Sequence, residues 1–253
     1  MGLLGPGLPG WAASRPILAG QAAWEAGPVA LPPPAALPAT ERRRTSASVR
    51  LALAAAAEAA AASGLPPAEL ETVFASSNGD GAVVGAILEA LSAEDGAISP
   101  TQFHNSVHNA AAGYWGIAAG SMRPSVSLGG HDDSFPSGLL QAAAATVARG
   151  APVLFCAYDA PLPPPLQAHR PTEAPFAAAL VLVPETHGAG TPLTVDLVET
   201  AAEGAAGPLA SLVAGNPAAR ALPLLQALAA GRAGRIGLPL ADGGAVVLEL
   251  GAP

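Results

Sequence analysis

The chain has 253 residues, a formal net charge of -8 and a sequence pI near 5.0. That length suits one large domain or two small ones with a substantial core. The absence of any lysine excludes a Schiff-base lysine, a Walker lysine and every acyl-transfer site built on lysine, and the acidic balance argues against nucleic acid as a partner.

Hydrophobic residues make up 51% of the chain but aromatics only 4%, so alanine supplies much of the apolar content. No stretch reads as ~20 consecutive apolar residues, the length a membrane span needs. The N-terminal MGLLGPGLPGWAAS has no basic residue before its apolar part and two prolines within it, a poor signal peptide. The expectation is a cytoplasmic protein with no membrane insertion.

Residues 1–45 are rich in Pro and Gly, with a short apolar piece at 17–24, and read as an extended segment with a short strand. The run 31–38 holds four prolines and cannot be a helix interior. Arg42, Arg43, Arg44 and Arg50 form the one basic cluster, better read as a solvated helix start than as a phosphate site. Residues 46–63 are Ala-rich and read as a helix stopped by Gly64 and Pro66.

Residues 71–77 predict a strand and 80–91 a helix. Between them, Gly79 to Gly85 carry a G-x-G-x-x-x-G spacing close to a dinucleotide fingerprint. Asp80 would set a negative charge against a pyrophosphate, where a helix N-terminus should offer positive potential. No acidic residue ends a following strand, since Glu94 and Asp95 fall in a helix-ending turn. The glycines are therefore better read as close packing of helix on sheet.

Pro100 starts the next element, and 101–119 reads as one long, mostly buried helix. It would place His104 and His108 on one face, as metal ligands could be. Asn105 stands where a zinc helix would place Glu, and no acidic third ligand is near. Asn105 and Asn109 repeat the spacing, so a hydrogen-bonded polar network is the better reading, and neither a metal nor a cofactor is expected.

A strand at 125–128 ends in Gly129-Gly130, then His131, Asp132, Asp133 and Ser134, then an Ala-rich helix to Arg149 stopped by Gly150. A strand, a tight turn and a helix present a nucleophile in many α/β enzymes. Here Asp133 or Ser134 is expected to cap the helix. The enzyme alternative is a serine acyltransferase or thioesterase using Ser134, which needs a base nearby. A second alternative is a nucleotide-binding oxidoreductase using Gly79 to Gly85.

Residues 152–158 predict a buried strand containing Cys156, the only cysteine, which excludes an intrachain disulfide and is read as a core residue. After a proline-rich loop, 176–183 and 192–198 predict two strands joined by a turn at 185–190. Helices at 208–213 and 218–230 and a closing strand at 245–250 follow. The alternation predicts an α/β fold with a mostly parallel sheet covered by helices, which the later strands could extend.

Several segments resemble the β-ketoacyl synthases, the thiolase-fold condensing enzymes, and among them the short synthase-like proteins of aryl-polyene and related pigment pathways. VFASSNGDG (73–81) is similar to the strand and glycine turn early in a ketosynthase. ISPTQFHNSVHNAAAGYWGI (98–117) is similar to the segment at the family's dimer interface and acyl tunnel, and its HNSVHN resembles a mark of the short subgroup. SVSLGGHDDSFPSGLLQAAAATVARG (125–150) resembles the strand and helix that carry the catalytic cysteine. PFAAALVLVPE (175–185) resembles the strand closing the family's first half.

Counted back from Arg149-Gly150, Asp133 falls where ketosynthases have their cysteine, and Ser134 is one position off. The His-Gly-Thr-Gly-Thr motif, the lysine and the Phe-Gly-Phe-Gly-Gly run are missing. The resemblance implies a truncated thiolase-like fold, with residues 46–185 as the ketosynthase N-terminal-half-like domain and 186–253 as a shortened C-terminal α/β portion packed on it. It implies a non-catalytic, chain-length-factor subunit with no catalytic residue of its own. The implied partner is an active β-ketoacyl synthase in a heterodimer, with acyl carrier protein engaged through the complex. Phe103, His104, Asn105, Val107, His108 and Asn109 are the expected partner or tunnel residues.

Overall fold

The computed structural model describes residues 1–93, 96–188, 190–199 and 207–252, so the expectation for Glu94 and Asp95 lies outside the described residues. The chain runs through β1 (Gly2–Leu4), α1 (Trp11–Leu18), α2 (Ala39–Arg44), α3 (Ala47–Ser63), β2 (Glu71–Ala75), α4 (Gly81–Ser92), α5 (Pro100–Asn105) and α6 (Ala110–Ala119). It continues through β3 (Ser125–Leu128), α7 (Ser134–Arg149), β4 (Val153–Asp159), α8 (Leu166–His169), β5 (Phe176–Leu182), β6 (Leu193–Val198), α9 (Ala210–Gly215), α10 (Leu222–Ala229), β7 (Gly234–Pro239) and β8 (Ala245–Leu250).

A five-stranded sheet has the order β1-β5-β4-β2-β3. β2 pairs parallel with β3 and β4, while β5 runs antiparallel to β4 and to β1, so only β5 opposes the common direction. β2 and β4 are buried along their whole length, which is why they read as continuous apolar runs. Strand alternation splits the core into two layers. Val73, Ala75, Phe155 and Ala157 face the α7 side, and Phe74, Leu154, Cys156 and Tyr158 face the α3 and α6 side.

Helix α3 has a local reason for where it starts and stops. Ser46 Oγ accepts from Val49 N to cap α3, and Gly64 ends it with φ near 70°. Gly138 lets α7 approach the sheet, because a Cβ there would lie 2.6 Å from Phe155 and 2.8 Å from Ala75. Beyond α7, β6, β8 and β7 form a separate three-stranded antiparallel sheet. Its Leu238, Val246, Leu248 and Leu250 share one core with Phe135, Leu139 and Ala142 of α7.

The structure corrects four expectations. Residues 1–45 hold two helices, α1 and α2, beside the short strand β1, so the segment is not simply extended, and the piece at 17–24 is the end of α1 and the loop after it. The single helix over 101–119 is two. Ser106 Oγ turns back to Phe103 O at 2.8 Å, and the chain leaves the helical path until Ala110. The strands either side of 185–190 do not pair, because β5 already has β4 and β1 as neighbours and β6 pairs with β8. The later strands accordingly build a second sheet and do not extend the first. β7, with Gly and Pro in its run, escaped the sequence pattern.

Candidate functional site

The carboxyl ends of β2, β3 and β4 converge, and ligands of open α/β sheets bind outside such ends. Three loops meet there: 76–80 after β2, 129–133 after β3, and the segment that follows Asp159 at the end of β4. Arg170 and Arg220 reach in from later parts of the chain.

The turn after β3 is tightly closed. Ser134 Oγ accepts from Gly130 N at 3.0 Å and donates to His131 O at 2.7 Å. Both bonds stay within the turn, so no base activates this hydroxyl, and Ser134 is 1% exposed. His131 has the positive φ of the elbow, 52°, outside glycine, and its exposed ring lies 3.4 Å from Asp132. The backbone strain of the elbow therefore falls on His131 and not on Asp133 or Ser134.

Asp133 does not cap α7 with its side chain, which corrects the capping expectation. Its Oδ1 accepts from Arg220 Nη1 at 2.7 Å and its Oδ2 from Ala241 N at 3.0 Å. Arg220 also donates to Asp132 O at 2.7 Å and to Pro239 O. Asp133 and Arg220 thus form a partly buried ion pair binding the elbow to β7 and the turn after it. Asp132 faces the other arginine, with Arg170 Nη2 at 2.6 Å from its Oδ1. Burial works against ionisation of Asp132. The hydrogen bond and charge of Arg170, with His131 and Arg220, outweigh it and hold the carboxyl below its ordinary range.

Asp159 anchors the neighbouring loop. Its Oδ1 accepts from Ser76 Oγ, Ser77 N and Asn78 N at 2.9, 2.9 and 3.0 Å. Its Oδ2 is buried without a partner. Burial pushes this carboxyl up to about 7, against the pull of those hydrogen bonds and of Arg170. Asn78 in turn donates to Thr172 Oγ1, and Arg170 donates to Ser77 Oγ. Asn216 Nδ2 donates to Asp159 O and Ala174 O, tying the C-terminal portion to the end of β4.

The expected partner or tunnel residues divide. Phe103 and Val107 point to solvent at 67% and 51% exposure. Asn105 is buried, donating to Arg44 O and accepting from Tyr114 Oη at 3.0 Å. His104 packs edge-on against the Tyr114 ring. His108 Nε2 lies 3.0 Å from Ser76 O, which brings this loop to the site. Asn109 is exposed and precedes α6 without a side-chain cap bond. Because the helix breaks at 106–109, His104 and His108 do not share a helical face. Among the described residues no cluster of three or more His, Cys, Asp or Glu could hold a metal.

Gly81 and Gly85 have a packing explanation with a different neighbour from the one expected, while Gly79 is held by its left-handed φ of 59°. A Cβ on Gly81 would collide with Leu162, and one on Gly85 would lie 2.7 Å from Pro163, so the proline-rich loop and not the sheet requires them. Asp80 caps α4, its Oδ1 accepting from Val83 N at 3.2 Å. A pyrophosphate would have to displace that carboxylate. Cys156 is fully buried, donates to Ala52 O, and is pushed up by burial, as befits a core thiol.

Arg170, Arg220, Asp159 and Asn216 escaped the sequence reading. The available signal was the scarcity of charge: an Asp ending a buried strand and lone arginines in apolar stretches each need partners. Among the described residues no helix is long and apolar enough to cross a membrane.

No curated protein matches the chain. Among solved structures, a chain of the ketosynthase ApeO in complex with its chain length factor ApeC from Xenorhabdus doucetiae superposes with a TM-score of 0.72 at 23% identity, covering 98% of this chain and 96% of that one. A chain of the ishigamide ketosynthase/chain length factor gives 0.73 at 15% identity, covering 99% and 98%. A β-ketoacyl synthase from Burkholderia phymatum STM815 gives 0.57 at 15%, covering 91% of this chain and 69% of that one. These likenesses establish a thiolase-like fold in truncated form. The family model for the β-ketoacyl synthase N-terminal domain matches residues 18–236. With most of its length under that model and the fold to match, the chain belongs to the β-ketoacyl synthase family.

Proposed function

We propose that the chain is a non-catalytic, chain-length-factor subunit that pairs with an active β-ketoacyl synthase. It would shape the acyl tunnel during elongation of a polyene or fatty acyl chain held on acyl carrier protein. The observation that carries this reading is the pairing of Asp133 with Arg220. Where the family has a thiolate, this chain has a carboxylate already engaged by an arginine and a backbone N–H. A paired carboxylate is a poor nucleophile toward a thioester, and Ser134 is committed to its own turn.

The exposed surface supports a partner. Phe103 and Val107 lie with Leu88 and Leu91 of α4 among the large exposed apolar residues, and α4 contacts α5. β3 is an edge strand, with one side of its ladder unpaired. In this reading Phe103, Val107 and Asn109 meet the partner, while His104, Asn105 and His108 hold the loop in shape behind them. That two structural neighbours come from ketosynthase/chain length factor assemblies agrees with it.

The test is co-expression with a cysteine-bearing ketosynthase from the same source, followed by size exclusion. Stable one-to-one co-elution supports the reading. A partner that elutes as a homodimer, with this chain always separate, sinks it.

A further inference from the structure

An apolar cavity lies away from the elbow. It has a volume of about 550 Å³ and is walled by β1, α3, α6 and the proline-rich segment 28–36. No residue of the turns at 76–80 or 129–134 lines it. It belongs to the α3 and α6 side of the five-stranded sheet, the face opposite α7.

We propose that this cavity is a binding site for a neutral, elongated apolar molecule carrying one hydrogen-bond acceptor. Its volume falls within the roughly 300–1,000 Å³ of small-molecule pockets. Leu3, Val29, Leu53, Ala54 and Trp115 make its wall apolar. Trp115 is 4% exposed, and its indole N–H is buried without a hydrogen-bond partner. A buried N–H is expected to be paired, and leaving it unpaired is unfavourable. An acceptor on a bound molecule would satisfy it.

The polar groups already present narrow the ligand class. Glu58 lines the cavity, but its two oxygens accept from Leu3 N at 3.0 Å and Trp11 N at 2.6 Å. Its charge disfavours an anionic head group, and each of its oxygens already accepts one backbone N–H. Water is a poor occupant, because an ordered water needs two to four polar partners and the lining is mostly apolar. The roof gives a way in. Pro28, Pro32, Pro33 and Pro34 have no N–H to tie that segment down.

The test uses the full chain labelled with 15N and three probes: methyl octanoate, sodium octanoate and n-octane. The chain has three tryptophans, and the Trp115 indole signal is identified by its loss in Trp115→Phe. Methyl octanoate should move that signal saturably, while octanoate should bind at least tenfold more weakly. Trp115→Phe should bind methyl octanoate about three- to tenfold more weakly and n-octane unchanged. Ala54→Leu, which intrudes on the cavity, should weaken both neutral probes. A Trp115 signal that no probe moves, or that moves equally in Ala54→Leu, overturns the proposal. So does equal affinity for the ester in wild type and Trp115→Phe.

Discussion

Asp133 and Arg220 are 87 residues apart in sequence, yet their side chains meet at 2.7 Å across the turn between β3 and α7. Both side chains are largely buried, at 19% and 16% exposure. The pair joins the elbow to β7, and so the first sheet's helix to the second sheet. The ion pair supplies a reason for the turn's shape that requires no reaction at the elbow.

Arg220→Met should therefore destabilise the protein by about 2–4 kcal/mol, because it strands Asp133 and frees Asp132 O and Pro239 O together. Arg220→Lys should recover only part of this, since an ammonium lacks the planar fork that serves several acceptors. Urea unfolding of the three proteins measures both effects.

Restoring a thiol should not restore chemistry. Asp133→Cys is expected to fold with reduced stability and to show no condensation or malonyl decarboxylation alone, because the family's histidine motif and lysine are absent from the sequence. Ser134→Ala should cost about 1 kcal/mol through the loss of the Gly130 and His131 bonds, with no change in the elongation rate of a complex. Turnover by Asp133→Cys alone, followed by mass spectrometry of the acyl product, would contradict this account.

Asp159 predicts an unusual pH dependence. Its folded value, about 7, lies above its ordinary 3.8. Between those values the folded chain holds a proton that the unfolded chain has released. Stability should therefore fall as pH rises from about 4 to about 7, by a few kcal/mol at most, and level off above. Asp132, held low, acts in the opposite sense, losing its contribution only as pH falls below about 4. Asp159→Asn keeps an oxygen for Ser76, Ser77 and Asn78, and should flatten the slope between pH 4 and 7. Thermal unfolding across that range reads the slope directly.

The exposed loop should matter only in a complex. Phe103→Asp and Val107→Asp change stability by no more than about 0.5 kcal/mol, as surface substitutions do, yet each should weaken association with the partner at least tenfold. Gly81→Val makes the contrast: it collides with Leu162 and should destabilise the isolated chain. Paired unfolding and association measurements separate the two effects.

Much of the architecture was legible in the sequence. The buried strands β2 and β4, the glycine stop of α3 and the turn before α7 follow from local pattern, and the resemblance over 125–150 put Asp133 at the elbow. Other features depend on contacts distant in sequence. Nothing near Asp133 names Arg220, and nothing near Ser76 names Asp159. The break at 106–109 escaped notice because residues 101–119 have no proline or paired glycines; the polar run Ser106, His108, Asn109 was the available sign. The placement of β6 depended on β5 already having two neighbours, which only the assembled sheet reveals.

The central claim is that this chain acts through another protein's active site. The most direct measurement is chain elongation on acyl carrier protein by a cysteine-bearing ketosynthase, with and without this chain, followed by product length. The account predicts that the partner elongates efficiently only with this chain present. It also predicts that Asp133→Asn, if folded, supports elongation as wild type does, while Phe103→Asp does not. A partner that is dimeric, fully active and unchanged in product length without this chain would contradict it.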